Sequence, residues 1–509
     1  MTEDCPEGWE FVKLGLITSK VGSGSTPRGG SESYQQTGIP LIRSMNVRFE
    51  GFTKEGLAFL NQKQADALKE VTVRRDDVLL NITGASIGRV TQAPAFMEGA
   101  RVNQHVCIIR PFHDIDAAYV SRYLASPSVQ QMIWGEQYGV TRQALTKSQI
   151  LDFQIPLAPP NEQRRIVERI DALFEQVTSA RDHLSRVPMI LKRFRQAVLA
   201  AACSGRLTED WRAEHPAIES GRTLAERIRQ SHVAQGLGHG GQAATPTEDV
   251  HNVTQDAIPD TWAVEELKVL CQPGRSITYG ILKPGPNVSG GVPYIRVADF
   301  PNNRLKLEGI RRTTKQIADM YRRSALHEGD LLLSIRGTAG RVCRVPAQLD
   351  GANITQDTAR ISIHRELSSD YVEFYLQSPS TQKRLEAAMK GVAVRGVNIG
   401  DVRVLQVALP PRVEQDEIVR RIGAMLKIAE AIEQRLLKAT VSADKLAHSI
   451  LAKAFRGELV LAEAELARRE GREYEPASVV LERIRAEKEN HVKASPATKR
   501  KLRKASAHV

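Results

Sequence analysis

The sequence predicts a mixed α/β protein of two similar globular α/β domains separated by two long helices, arranged as an internal repeat. Three observations carry this. The 509-residue chain repeats itself at an offset near 253 residues. Each copy opens on about 150 residues of short strand-like runs, turns and one helical stretch, and each closes on about 40 residues of heptad-spaced apolar positions.

The copies match segment by segment. PEGWEFVKLG returns as PDTWAVEELK, setting Trp9 against Trp262, and IPLIRSMNV returns as VPYIRVADF, setting Arg43 against Arg296. DDVLLNITGASIGRV pairs with GDLLLSIRGTAGRV, placing Asp77 on Asp330 and Gly84 on Gly337; one residue is then lost, so Arg89 falls on Arg341. VNQHVCIIRP follows with ITQDTARISI, placing Gln104 on Gln356. PPNEQRRIVERI pairs with PPRVEQDEIVRRI (Glu162 on Glu414), and AACSGRL with KAFRGEL (Gly205 on Gly457). Six matches in one order indicate a duplicated architecture.

Within each domain, β-branched and leucine-rich runs such as Val78–Thr83 and Leu331–Ile335 read as strands, and 116–136 and 369–390 read as one helix each. A strand-like run (153–157; 404–409) leads to Pro159-Pro160 and Pro410-Pro411, which mark helix starts because proline sets φ where no donor is needed. From there apolar residues recur at spacings of four and three. The first stripe is Ile166, Ile170, Leu173, Val177, Ala180, Leu184, Val187, Leu191, Phe194, Val198 and Ala201; the second runs from Ile418 to Ile450 in the same register. Helices of about 40 residues span roughly 60 Å, about twice a small domain, so most of each needs a partner outside its own domain. Pro188, where the second stripe has Thr440, is expected to kink or interrupt the first helix.

The expected boundaries are a first α/β domain over 1–158, a long helix over 159–205, a short helix and flexible linker over 206–258, a second α/β domain over 259–409, a long helix over 410–457, and a C-terminal helix with a basic tail over 458–509. The short helix carries LAERIR at 224–229, echoed as VLERIR at 480–485.

Composition is ordinary for a globular protein, with 41% hydrophobic and 26% charged residues. No apolar run is long enough to span a bilayer, and the acidic opening MTEDCPEGWE is unlike a signal peptide, so the cytoplasm is the expected location. The five cysteines are scattered and read as free thiols, with neither they nor the 12 histidines at metal-ligand spacing. A net charge of +12 suggests a polyanionic partner, but half of that excess lies beyond His491, in a tail that reads as solvated.

The order of domain, P-P-x(1 or 2)-E-Q-x-x-I-V helix start and G-[RE]-L helix end, present twice over nearly the whole chain, resembles the specificity (S, HsdS) subunit of type I restriction-modification systems. The resemblance implies two target recognition domains, each reading one half of a bipartite DNA site, with the two helices packed antiparallel as a spacer. It implies as partners double-stranded DNA, two methyltransferase (M) subunits and, for cleavage, restriction/translocase (R) subunits. It implies no cofactor in this chain: S-adenosylmethionine, and ATP and Mg for restriction, belong to the partner subunits. Two similar units related by a pseudo-twofold would present reading heads to a duplex with its own twofold axes, and heads of different sequence imply an asymmetric target.

Residues matched between the copies suit framework or phosphate contact: Arg43 and Arg296, Arg89 and Arg341, Arg142 and Arg395. Base readers are expected among unmatched donors and acceptors in loops, namely Arg28, Arg48, Asn103 and Gln143 in the first domain, and Arg275, Lys283, Arg304, Arg336 and Asn398 in the second.

Other chemistries find little purchase. VGSGSTPRGG lacks the G-K-[ST] ending of a phosphate loop and reads as a surface turn, and Asp76-Asp77 and Glu209-Asp210 read as turn or capping carboxylates. The double prolines continue as APPNEQ and LPPRVEQ, not as an adenine-methyltransferase Asn-Pro-Pro-Tyr/Phe motif, and no nuclease or ATPase signature is present, so the chain is expected to be non-catalytic. A coiled-coil scaffold with protein-binding heads is the alternative reading.

Overall fold

The computed structural model describes residues 5–27, 29–135, 144–235, 258–389 and 395–494. The chain divides into two units, one of Met1–Ser185 with Leu437–Val509 and one of Arg186–Leu436, so each long helix contributes one part to each unit. In the first unit an antiparallel sheet has the strand order Thr18–Ser23, Val106–Pro111, Val78–Asn81, Val90–Gln92. A smaller sheet orders Ala58–Leu60, Ile39–Ile42, Arg101–Val102, its second pairing parallel, and Glu10–Lys13 pairs with Gln154–Leu157. The second unit has the same plan. Thr278–Tyr279, Thr358–Ile361, Leu331–Ser334 and Val342–Arg344 form its four-stranded sheet, Arg312–Thr313, Val292–Ile295 and Asn353–Ile354 its three-stranded one, and Ala263–Glu266 pairs with Gln406–Leu409.

The larger sheet is covered on both faces, which explains why its central strands are continuously apolar. Val78, Leu80, Cys107 and Ile109 face a large core shared with helices, while Leu79, Val106 and Ile108 face a small core under the three-stranded sheet. The period of two repeats in the second unit, with Leu331, Leu333 and Ile361 on one side and Leu332 on the other.

The helical stretch expected over 116–136 is two helices, Ala117–Leu124 and Pro127–Gly135, and that over 369–390 is Ser369–Gln377 and Pro379–Ala387. The breaks fall at Ser126-Pro127 and Ser378-Pro379. Proline cannot donate to the preceding turn but starts a new helix well, and Ser378 caps it by accepting the Thr381 N–H.

The long helices run Pro160–Cys203 and Arg412–Ala454. Pro188 does not interrupt the first: its ring is exposed, and proline removes one hydrogen bond from a helix held by many others. Within the first unit Arg181 meets Asp444 at 2.5 Å; within the second Arg195 binds both oxygens of Glu433, at 2.6 and 3.0 Å. Ile166, Ile170 and Val177 sink into the first core and Ile418 and Ile422 into the second, whereas Phe194, Ile432 and Leu446 remain over one-third exposed, because one neighbouring helix covers less than a domain does.

The Glu-Gln pair of each helix start is fully buried. Trp9 Nε1 donates to Glu162 (3.0 Å) and Trp262 Nε1 to Glu414 (2.9 Å). Gln163 donates to the Ala158 carbonyl and accepts the Asp116 N–H; Gln415 donates to the Pro410 carbonyl and accepts the Ser368 N–H. The remaining oxygens of the glutamates take the segment that follows the other long helix. Glu162 accepts the Glu463 N–H at 2.8 Å, and Glu414 accepts from Thr208 Oγ1 at 2.7 Å and Arg212 at 2.6 Å. The two sequence signatures therefore meet in each unit, the helix start of one copy against the helix end of the other.

The LAERIR and VLERIR segments lie on helices Gly221–Ala234 and Ala477–Ala494. They dock alike, Gly221 N–H donating to the Thr261 carbonyl and Ala477 N–H to that of Gly8. The first of these helices covers His364, whose Nε2 lies 3.2 Å from Ser231 Oγ while its Nδ1 accepts the Glu366 N–H. Burial pushes this imidazole below its ordinary pKa, with Glu366 opposing the shift and His232 and Arg365 adding to it. A base with a depressed folded pKa contributes stability above its unfolded pKa of about 6.5, lost as pH falls through the folded value. The unfolding midpoint of the second unit is therefore expected to fall between pH 7.5 and 5.5, and His364→Gln to flatten that fall in thermal denaturation.

Candidate nucleic-acid interface

In both units two strand ends and the segment entering a short helix are tied into one rim. Ile335 N–H donates to the Asp357 carbonyl and Val397 N–H to that of Ile335, both at 2.8 Å; in the first unit Ile82 donates to His105 (3.0 Å) and Leu145 to Ile82 (2.9 Å). A third strand crosses at a glycine. Gly24 N–H donates to Asn103 and Gly280 N–H to Thr355, and a Cβ would lie 1.8 Å from the Val102 carbonyl oxygen at Gly24 or 1.9 Å from that of Ile354 at Gly280. Only glycine permits so close a crossing. The stretch read as a surface turn is therefore a strand through Ser23 and a packed crossing at Gly24.

On this shared frame the side chains differ. The second unit's rim holds a cleft of about 200 Å³ lined by Tyr279, Leu282, Arg336, Gln356, Val397 and Asn398. Asn398 is the N-cap of Ile399–Arg403 but makes no capping hydrogen bond, so its amide stays available. In the first unit a polar chain occupies the matching place: Thr26 donates to Gln104 Oε1, Gln104 Nε2 lies 3.1 Å from His105 Nε2, and His105 Nδ1 meets the Thr83 hydroxyl. Mixed donors and acceptors beside an aromatic ring are the groups that direct readout of base edges requires. Nucleophilic chemistry has no foothold in the cysteines: burial pushes Cys107, Cys203 and Cys271 up to about 12, Cys343 higher still, and Cys5 upward as well. Among the described residues no group of three or more His, Cys, Asp or Glu could hold a metal, and no helix is long and apolar enough to cross a membrane.

Residues 6–187 and 259–440 each match the family described as "Type I restriction modification DNA specificity domain". The chain belongs to that family. As a member of the DNA specificity family it is a non-catalytic component of a type I restriction-modification system and supplies its DNA specificity, which decides between the two readings the sequence left open. It is 33% identical over 456 residues to the type I restriction enzyme EcoBI specificity subunit of Escherichia coli, covering 89% of this chain and 86% of that one. The fold is similar to the HsdS subunit from Thermoanaerobacter tengcongensis (TM-score 0.57, 19% identity, 90% of this chain and 100% of that one). It is also similar to a chain solved for the structural basis of complex assembly and conformational transition of the type I R-M system (TM-score 0.60, 19% identity, 90% and 100%).

The family frame gives the sequence candidates distinct places. Of the arginines matched between copies, Arg43 lies over the Tyr34 ring at 5.6 Å and donates to the Gly56 carbonyl, and Arg296 grips Asp299 through two bonds of 3.0 and 2.6 Å; both brace the start of a short helical turn. Arg341 donates to the Val297 carbonyl at 3.4 Å, while Arg89 and Arg395 are exposed without a side-chain partner among the described residues.

Of the unmatched candidates, Arg336 and Asn398 line the cleft and Lys283 is exposed beside Leu282. Arg48 is exposed and pairs with Glu55 at 3.0 Å, and Arg304 is exposed with Glu430 at 3.3 Å. Asn103 is buried, its Oδ1 accepting the His105 N–H. Arg275 is engaged by Asp330 (2.7 Å), Ser362 (2.9 Å) and the Ala325 carbonyl (3.2 Å). Arg28, Arg142 and Gln143 lie outside the described residues. Thr26, Thr83, His105 and Tyr279 are rim residues that sequence reasoning missed; the usable signal was His105 facing Asp357 immediately after the matched glutamines.

Proposed function

We propose that the two rims are the DNA-reading surfaces, each taking one half of a split, asymmetric target. The observation that carries this is one backbone frame bearing different base-reading groups. Thr83 stands where Arg336 does, His105 where Asp357 does, and Thr146 where Asn398 does, while the strand-end hydrogen bonds and the glycine crossing are the same. In this reading the recognition domains are 1–158 and 259–409, with spacer helices over 159–205 and 410–457, a short helix and linker over 206–258, and a C-terminal helix and tail over 458–509. Arg336, Asn398 and Lys283 read bases in the second domain, with Arg48 and the Arg28 and Gln143 positions candidates in the first. Exposed Arg89 and Arg395, with Arg341 and Arg142, serve phosphates.

The complex then comprises duplex DNA, two methyltransferase subunits and restriction/translocase subunits, with S-adenosylmethionine, ATP and Mg held by the partners; the likeness to a chain studied for assembly of the type I R-M system supports such a complex. Mapping N6-methylated adenines in host DNA with and without this gene tests the reading. One bipartite asymmetric motif is expected to vanish with the gene, and an unchanged set of modified sites would refute it.

A further inference from the structure

The second unit's rim carries two opposite charges that do not neutralise one another. Arg336 directly follows Ile335, whose N–H donates to the carbonyl of Asp357 at 2.8 Å, so the strand ends bring the two residues into the same corner. At the matching corner of the first unit Thr83 and His105 satisfy each other through hydroxyl and Nδ1. Ion pairing is otherwise dense in this unit: Arg296 holds Asp299, Arg275 holds Asp330, and Arg344 holds both Asp370 (2.6 Å) and Glu373 (3.1 Å). Arg336 is exposed and Asp357 half-buried, and neither side chain has a hydrogen-bonding or ionic partner among the described residues.

A carboxylate on a DNA-reading surface is repelled by phosphates, so it needs a compensating donor. Among base edges in the major groove the amino groups of cytosine and adenine are donors, and a carboxylate is acceptor-only. Adenine sets its N7 acceptor beside the amino group, where it repels the second carboxylate oxygen; cytosine has no such neighbour. The guanidinium has the complementary preference, since its paired donors match guanine O6 and N7. We propose that Arg336 and Asp357 read the two bases of one G·C pair in the half-site of the second domain, Arg336 on the guanine and Asp357 on the cytosine amino group. The first domain, with Thr83 and His105 in their places, does not make this reading, so the position 105/357 is one source of target asymmetry. The inference rests on the rim being the reading surface.

The test uses the assembled methyltransferase–specificity complex on duplexes in which each base pair of the mapped target is replaced in turn, comparing wild type with Asp357→Ala, Asp357→Asn and Arg336→Ala. Wild type is expected to prefer G·C at one position of one half-site by about 10- to 100-fold in methylation rate. Asp357→Ala and Arg336→Ala should erase most of that preference at that same position, Asp357→Asn, whose amide adds a donor for adenine N7, should shift it toward A·T, and all three should leave the other half-site untouched. Asp357→Asn keeps the side-chain volume, and an unchanged thermal midpoint for it separates readout from folding. If Arg336→Ala relaxes a position and neither Asp357 variant does, the pairing is wrong while the surface stands. If no variant changes any position in a complex that still methylates, neither residue reads a base and the proposal fails, and the rim as reading surface then falls only if Asn398→Ala and Lys283→Ala are equally silent. Uniform weakening at every position would also overturn the proposal, by assigning both residues to backbone contact.

Discussion

Glu414→Ala is expected to destabilise the second unit by about 3–5 kcal/mol, the typical result of removing one partner from a buried charged pair. The side chain is 1% exposed and accepts from Trp262 Nε1, Thr208 Oγ1 and Arg212, so alanine strands an indole N–H, a hydroxyl and a largely covered guanidinium at once. Glu414→Gln retains an oxygen for the indole but no charge for Arg212, and its loss should be smaller. Hydrogen exchange locates the effect: protection should fall in peptides of the second unit, including the Leu207–Arg212 segment, with the first unit unaffected. A loss under about 1 kcal/mol by denaturant titration would show that this contact does not close the unit.

Asp77→Ala should be comparably severe in the first unit, again about 3–5 kcal/mol. Asp77 is fully buried and receives Arg110 through two bonds of 2.6 and 2.7 Å, together with the Arg74 N–H at 2.8 Å. The informative control is Asp77→Leu with Arg110→Met, which removes both charges and leaves no buried ion unpaired; that double variant should recover most of the loss. Equal instability of single and double variants in thermal unfolding would mean that strand packing at this point, and not the unpaired guanidinium, sets the cost.

The same ion pair marks a boundary of what the sequence revealed. Comparing the copies placed Asp77 on Asp330, but the guanidinium that grips Asp330 comes from Arg275, in the loop ahead of the strand Thr278–Tyr279. Ser362 stands where Arg110 does, its hydroxyl donating to Asp330 at 2.5 Å, and Arg275 reaches past it to the same carboxylate. Arg275 had no counterpart in the first copy and so looked like a base reader; its role is visible only once its loop is folded against Asp330 and Ser362. Asn103 misled for a related reason, since a loop asparagine that holds the next backbone N–H has the composition of a reader and the burial of a brace. The duplicated plan, the long helices and their paired signatures were legible because they rest on local periodicity and proline chemistry. Rim residues such as Tyr279 and Thr26 were not, because the groups they meet, Arg336 and Gln356 for the first and Gln104 for the second, come from strand ends about 55 to 80 residues further along the chain.

The glutamate hubs also impose an order of events during synthesis. The second unit is one uninterrupted stretch, Arg186–Leu436, whereas the first is assembled from both ends of the chain. Glu162 must wait for the N–H of Glu463, emerging some 300 residues later, and the Gly8 carbonyl for the N–H of Ala477. At about 5–20 residues per second the ribosome leaves that core open for tens of seconds after its own strands have formed. The half of the protein begun first is thus the half finished last.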